Sequence, residues 1–157
     1  MIEYKTGDLF EAFRSGEIEA LGHQANCFCK MGSGFAKQLV ELYPEAQEAD
    51  MQTIPGDETK LGTLTWVFVE VHGHAPGAIF NLYGQYNYGR EPGVVYTDIE
   101  ALDSALYSMR QCVNAIGIEH IGFPKLGAGL GGGDWVVIEA LIEEHFGDLA
   151  VTIFEKD

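Results

Sequence analysis

Twice in this chain a strand-like run passes through a glycine-loaded loop into an amphipathic helical segment, and that pattern limits the possible folds most. The first loop contains Gly32-Ser33-Gly34, and the second runs Gly127-Ala128-Gly129-Leu130-Gly131-Gly132-Gly133. Glycine lets the backbone take left-handed angles and come close to a ligand. Successive N–H groups leading into a helix N-terminus form a nest for phosphate oxygens. One such loop reads equally as a tight turn. Two of them at strand-to-helix junctions point to a pyrophosphate cradle. Valine at Gly129 or Gly132 is therefore expected to abolish binding while the fold is kept.

Gly127, Gly129 and Gly132 also match G-x-G-x-x-G, with Glu155 roughly 20 residues on, which is the dinucleotide fingerprint. A dinucleotide fold carries that motif in its opening unit and then needs further βαβ units. Here it falls near the end of the sequence, so dinucleotide binding is the weakest reading. A P-loop, G-x-x-x-x-G-K-[ST], is absent.

Charge narrows the ligand further. With 24 acidic and 9 basic side chains the formal charge is −15, which gives no general footprint for direct nucleic-acid binding. An anion must then be held by backbone N–H groups rather than by a basic surface. At 46% hydrophobic and 21% charged residues, the 157-residue chain reads as one globular domain, residues 1–157. No apolar run nears the ~20 residues of a membrane span. Glu3, Asp8 and Glu11 leave no room for a signal peptide. Cys27 and Cys29, two of the three cysteines, make no disulfide framework, so an intracellular, cytoplasmic setting is expected. His72 and His74 lack nearby ligand partners beyond Glu70, and neither a metal nor a cofactor is called for.

Strands are expected at Ile2–Lys5, Glu19–Ala25, Thr63–Val71, Ala78–Leu82, His120–Phe123 and Leu149–Phe154. Helices are expected at Gly34–Tyr43, with a further turn starting at Pro44, and at Asp134–Phe146. The latter has Val137, Ile138, Leu141, Ile142 and His145 on its apolar side. Thr97-Asp98-Ile99-Glu100 reads as a capping box with Thr97 as N-cap, opening a helix with Ile99, Leu102, Leu106, Met109 and Val113 inward. This alternation is that of a layered α/β domain, with ligands beyond the carboxyl ends of its strands.

Three segments together carry a family resemblance: Gly7-Asp8-Leu9-Phe10 after the first strand, His23 to Asn26 before the first glycine loop, and the late glycine run ending in Asp134-Trp135. They resemble the macrodomain family over almost the whole chain. The first loop is most similar to two branches of it. One comprises ADP-ribose-1″-phosphate phosphatases, matched by His23-x-x-Asn26-Cys27 and by Ala36-Lys37-Gln38-Leu39 through Tyr43-Pro44-Glu45-Ala46. The other removes ADP-ribose from carboxylates or DNA bases and shares Met31-Gly32-x-Gly34. The resemblance implies a three-layer α/β/α fold with a mixed, about six-stranded sheet. It also implies that the ligand is ADP-ribose, an ADP-ribose-derived small molecule or an ADP-ribosylated macromolecule.

By the same resemblance, Asp8 beside Leu9 accepts the adenine amino group, Phe154 lies against adenine, and Asn26 holds and orients the distal ribose as one of the catalytic candidates with His23 and Asp134. Gly32, Ser33, Gly34 and Phe35 wrap the ribose and diphosphate, faced by Leu126, Gly127, Ala128, Gly129, Leu130, Gly131 and Gly132. Lys30 reads as a phosphate partner or a solvated loop lysine. His23 reads as an acid–base group or a packed histidine, and Asp134 as a catalytic carboxylate or a helix N-cap. Tyr83, Tyr86 and Tyr88 read as the distal wall of the cleft or as packing. The loop after Ala78–Leu82 has no lysine, unlike the lysine-dependent glycohydrolases. Enzyme and non-catalytic reader both fit this sequence.

Overall fold

The computed structural model describes residues 2–156. Its six strands are β1 (Ile2–Thr6), β2 (Ala20–Gln24), β3 (Leu64–Val69), β4 (Gly77–Leu82), β5 (His120–Phe123) and β6 (Ala150–Glu155). They form one sheet in the order β1-β6-β5-β2-β4-β3. Every neighbouring pair is parallel except β3 with β4. The carboxyl ends of five strands therefore share one edge of the sheet. The expected strands are all present, with ends moved by one or two residues.

The helices are α1 (Leu9–Arg14), α2 (Gly34–Leu42), α3 (Glu45–Asp50), α4 (Ile99–Ile116) and α5 (Trp135–Phe146), with a single 3-10 turn at Glu58–Lys60. Strand side chains alternate between faces, and the two cores divide on that alternation. Ala20, Ala78, Phe80, Leu82 and Ile153 pack with Leu102, Leu106 and Met109 of α4 and with Ile138 and Ile142 of α5. Leu21, Ile79 and Phe154 pack with Phe10 and Phe13 of α1, Leu39 of α2 and Ala46 of α3. The architecture is the expected three layers, helix on both faces of a mixed sheet. Among the described residues, no helix is long and apolar enough to cross a membrane.

Three local expectations need correction. Asp98, not Thr97, is the N-cap of α4, its carboxylate accepting from Ala101 N. Thr97 is buried, and its hydroxyl donates to Gly127 O instead. Pro44 is the N-cap of a separate short helix rather than the first residue of a continued one, because the chain turns at Tyr43 (φ −135°, ψ 78°). On α5 the buried positions are Ile138, Ile142 and Phe146, while Val137 is exposed.

Candidate functional site: a cleft between two glycine loops

Beyond the carboxyl edge of the sheet lies a cleft of about 870 Å³. The first glycine loop forms one wall and the second the other. They meet where a Cβ built on Gly34 would lie 3.3 Å from Leu130 Cδ1. Leu130 is half exposed and lines the cleft.

Period-two alternation decides what the end of β2 offers. His23 shares a face with Leu21 and stands in register with Asn81 of β4. Its Nε2 lies 2.6 Å from Asn81 Oδ1, while Asn81 Nδ2 donates to Ala46 O and Thr65 Oγ1. Those two acceptors leave Oδ1 facing the ring, so His23 carries its proton on Nε2. Burial pushes the imidazole down to about 4, against the smaller opposing pull of Asn81 and the Gln24 backbone. His23 lines the cleft as a neutral ring already bonded from behind.

Gln24 points to the opposite face. Its Nε2 donates to Gln85 Oε1 at 2.7 Å and to Thr97 Oγ1 at 2.8 Å. The strand then stops, and Asn26 turns the chain: its Oδ1 accepts from Phe28 N at 2.9 Å and its Nδ2 donates to Lys30 O at 2.8 Å. That side-chain turn replaces the pleat, which brings Asn26 and His23 to the same cleft despite their odd spacing.

Beneath the first loop is a buried polar cluster that the sequence did not signal. Lys60 Nζ donates to Cys27 O at 3.2 Å and contacts Cys29 Sγ at 3.5 Å. It also lies 4.0 Å from Asp50 Oδ1 and above the Tyr83 ring. Tyr83 donates to Asp50 Oδ1 at 2.7 Å. Tyr83 is thus core rather than cleft wall, and burial raises its hydroxyl above the ordinary range. Of the three tyrosines only Tyr88 lines the cleft; Tyr86 donates to Gly56 O. Cys27 is likewise buried, its thiol pushed up to about 11. Cys29 has φ 58°, the only described non-glycine residue with positive φ.

Both glycine loops present donors. Among the described residues, the N–H groups of Gly129, Leu130 and Gly131 meet no acceptor within the protein, nor do those of Gly34, Phe35 and Ala36 in the first turn of α2. Ser33, the N-cap of α2, makes no side-chain cap bond. These consecutive free donors are what a phosphate nest needs. Open space accompanies two glycines: a Cβ on Gly32 or Gly129 would meet nothing within 4 Å.

The other glycines of the second loop are there for packing. A Cβ on Gly131 would lie 2.4 Å from Thr97 Oγ1, and one on Gly133 2.8 Å from Gly127 O. Gly132 has φ +70°, and a Cβ on it would lie 3.1 Å from Val94 O. Valine there is strained by its own backbone angle and against the Val94–Val95 backbone, so the expectation of a kept fold is corrected for that position.

Cations concentrate at the cleft despite the acidic whole. Lys30, Arg90 and Lys125 line it. Lys125 is paired with Glu155 at 3.0 Å, whereas Lys30 and Arg90 have no acidic partner among the described residues. Asp8, Leu9, Phe154, Ala128, Gly132 and Asp134 are not brought among the lining residues. Asp8 caps α1 by accepting from Phe10 N, and Asp134 caps α5 by accepting from Val136 N. Both carboxylates stay exposed. Phe154 is buried in the α1 core, with Phe10 stacked on Phe35 at 4.8 Å toward the cleft. The one described group able to offer three metal ligands, Asp103, Glu144 and His145, joins α4 to α5 outside the cleft.

A mixed sheet between helix layers, with two facing glycine loops past its carboxyl edge, defines a three-layer α/β/α domain with its cleft where such sheets hold their ligands. The Macro domain family model matches residues 23–142, and the chain belongs to that family. It is 33% identical over 157 residues to an uncharacterized 17.5 kDa protein of the tk-vs intergenic region of Enterobacteria phage T4, covering 99% of this chain and 96% of that one. It is 29% identical over 151 residues to the DNA ADP-ribosyl glycohydrolase of Mycobacterium tuberculosis, covering 95% of this chain but only 40% of that protein. The structure of that organism's DarG macrodomain superposes with a TM-score of 0.76 at 27% identity, over 100% of this chain and 99% of that one. Thermosipho africanus DarTG in complex with ADP-ribose shares the fold, with a TM-score of 0.76 at 19% identity, over 99% of this chain and 41% of that one.

Proposed function

We propose that this macro domain binds ADP-ribose in the cleft and hydrolyses a bond at its distal ribose. The observation that carries the reading is the pair of facing donor rows, Gly34–Ala36 and Gly129–Gly131, across a cleft of nucleotide size. Two short rows of fixed N–H groups suit a diphosphate and need no basic surface. The names of the mycobacterial relative and of the Thermosipho complex agree with this ligand.

In this reading Asn26 shapes the loop around the distal ribose. His23, neutral and with its one N–H given to Asn81, supports that loop by packing against Phe35 at 5.7 Å rather than by exchanging protons. Water adds at the anomeric carbon or at the terminal phosphorus, the bond to the leaving group breaks, and the water's proton goes to that group. The donor rows preorganise the charged diphosphate so that little rearrangement is needed at the reacting end. Attack at the phosphorus of ADP-ribose 1″-phosphate expels the 1″-oxygen of ADP-ribose, and attack at the anomeric carbon of an ADP-ribosylated base expels the nucleobase. The second is favoured by Tyr88, Lys30 and Arg90, which line the cleft together, Tyr88 packing edge-on against Phe28 at 5.9 Å. Aromatic faces and isolated cations are what a single-stranded nucleic acid meets.

A reader without turnover is the second reading. It is favoured by the absence of lysine from Tyr83 to Arg90 and by the engagement of Asp134 as a cap. Calorimetry with ADP-ribose, phosphate release from ADP-ribose 1″-phosphate, and ADP-ribose release from modified single-stranded DNA and protein decide among these. Binding with turnover of any one substrate supports the hydrolase. Binding alone leaves the reader, and no binding removes both.

A further inference from the structure

We propose that Gln24 and Thr97 form an internal latch that sets the second glycine loop in its ligand-holding shape, making them a positioning pair for ADP-ribose. The assignment rests on the ADP-ribose reading above. Thr97 reaches the loop twice, its Oγ1 donating to Gly127 O at 2.7 Å and its N–H to Gly131 O at 3.0 Å, where the N–H of Tyr96 joins it at 2.7 Å. Gln24 in turn donates to Thr97 Oγ1 and to Gln85 Oε1. Gln85 and Thr97 also form an isolated antiparallel bridge.

Three segments of the cleft are thereby joined at one hydroxyl: the end of β2, the loop after β4 and the second glycine loop. A hydroxyl can donate one bond and accept others, and Thr97 Oγ1 does both. The two loop carbonyls it and its backbone secure, Gly127 and Gly131, flank the free N–H groups of Gly129, Leu130 and Gly131. With both carbonyls bonded to Thr97 and Tyr96, the free donors are left for the cleft. Glycine-rich backbone would otherwise sample many orientations.

The surrounding glycines agree with a latch rather than a chance contact. A Cβ on Gly84 would lie 2.4 Å from Gln24 Oε1, one on Gly127 3.0 Å from the same atom, and one on Gly131 2.4 Å from Thr97 Oγ1. Gln24 Oε1 is buried and, among the described residues, accepts no hydrogen bond. The side chain is held by what its amide nitrogen donates to.

The test is Thr97→Val, which keeps the shape and removes the hydroxyl, with Thr97→Ser as the conservative rescue and Ile142→Val as a destabilised control away from the cleft. ADP-ribose affinity by calorimetry and amide exchange of residues 127–133 by mass spectrometry are read together. Thr97→Val is expected to weaken ADP-ribose about tenfold or more and to speed exchange, given the cost of unpaired buried groups. Thr97→Ser should stay within about threefold of wild type by the same criterion, and Ile142→Val should bind as wild type does. Unchanged affinity or unchanged exchange in folded Thr97→Val overturns the latch. Should wild type itself fail to bind ADP-ribose, the functional reading falls, and exchange alone decides the latch: faster supports it, unchanged overturns it.

Discussion

His23 Nε2 lies 2.6 Å from Asn81 Oδ1, a contact that fixes the tautomer of an imidazole whose burial keeps it uncharged near neutral pH. The free side chain titrates near 6.5, the buried one at about 4. Between those values the unfolded chain binds a proton that the folded chain refuses, so stability is full above 6.5 and falls as pH drops toward 4. Urea unfolding of wild type at pH 7.5 and pH 5 should show about 2 kcal/mol more loss than His23→Gln does. Equal losses in the two proteins would place the imidazole in contact with solvent.

Gly129 and Gly131 sit two residues apart with opposite surroundings. Gly129→Ala adds a methyl to open space, so its melting temperature should match wild type while ADP-ribose binding falls. Gly131→Ala pushes a Cβ to 2.4 Å from Thr97 Oγ1 and should lose about 1–3 kcal/mol of stability. Calorimetry beside thermal melting separates the two. Strong ADP-ribose binding by Gly129→Ala would mean the ligand does not approach there.

Lys60 and Asp50 are buried at 6% and 0% exposure, each the other's counter-charge. Burial raises the Asp50 carboxyl, opposed by Tyr83 and Lys60. Lys60→Met leaves a carboxylate uncompensated and should cost about 3–5 kcal/mol. Adding Asp50→Asn should recover part of that loss, because neighbouring residues couple. A double-mutant cycle by chemical denaturation that shows strict additivity would rule out the pairing.

Asp8 caps α1, and the proposed ADP-ribose reading assigns it the adenine amino group as well. Asparagine is as good a cap but lacks the charge that strengthens a bond to the amino group. Asp8→Asn should therefore keep wild-type stability and weaken ADP-ribose about tenfold. Unchanged affinity would leave Asp8 with the cap alone.

The layered α/β order, all six strands, the long helices and both glycine loops were readable in the sequence, because local periodicity and turn chemistry set them. The macro-domain resemblance was carried by contiguous segments, which also marked Asn26, Lys30 and the glycines that line the cleft. Thr97 shows where local reading stops. Its neighbours spell a capping box, yet Asp98 takes the cap at equal local cost, since a hydroxyl beside a glycine carbonyl thirty residues away has the better partner. The roles of Gln24, Lys60, Asp50 and Asn81 were equally hidden, each defined by a partner at least ten residues distant. Sequence alone determined which segments could pleat, coil or turn. Only the tertiary structure decided which glycines face open space and which close on a side chain, because that depends on what another strand delivers to the same few ångströms.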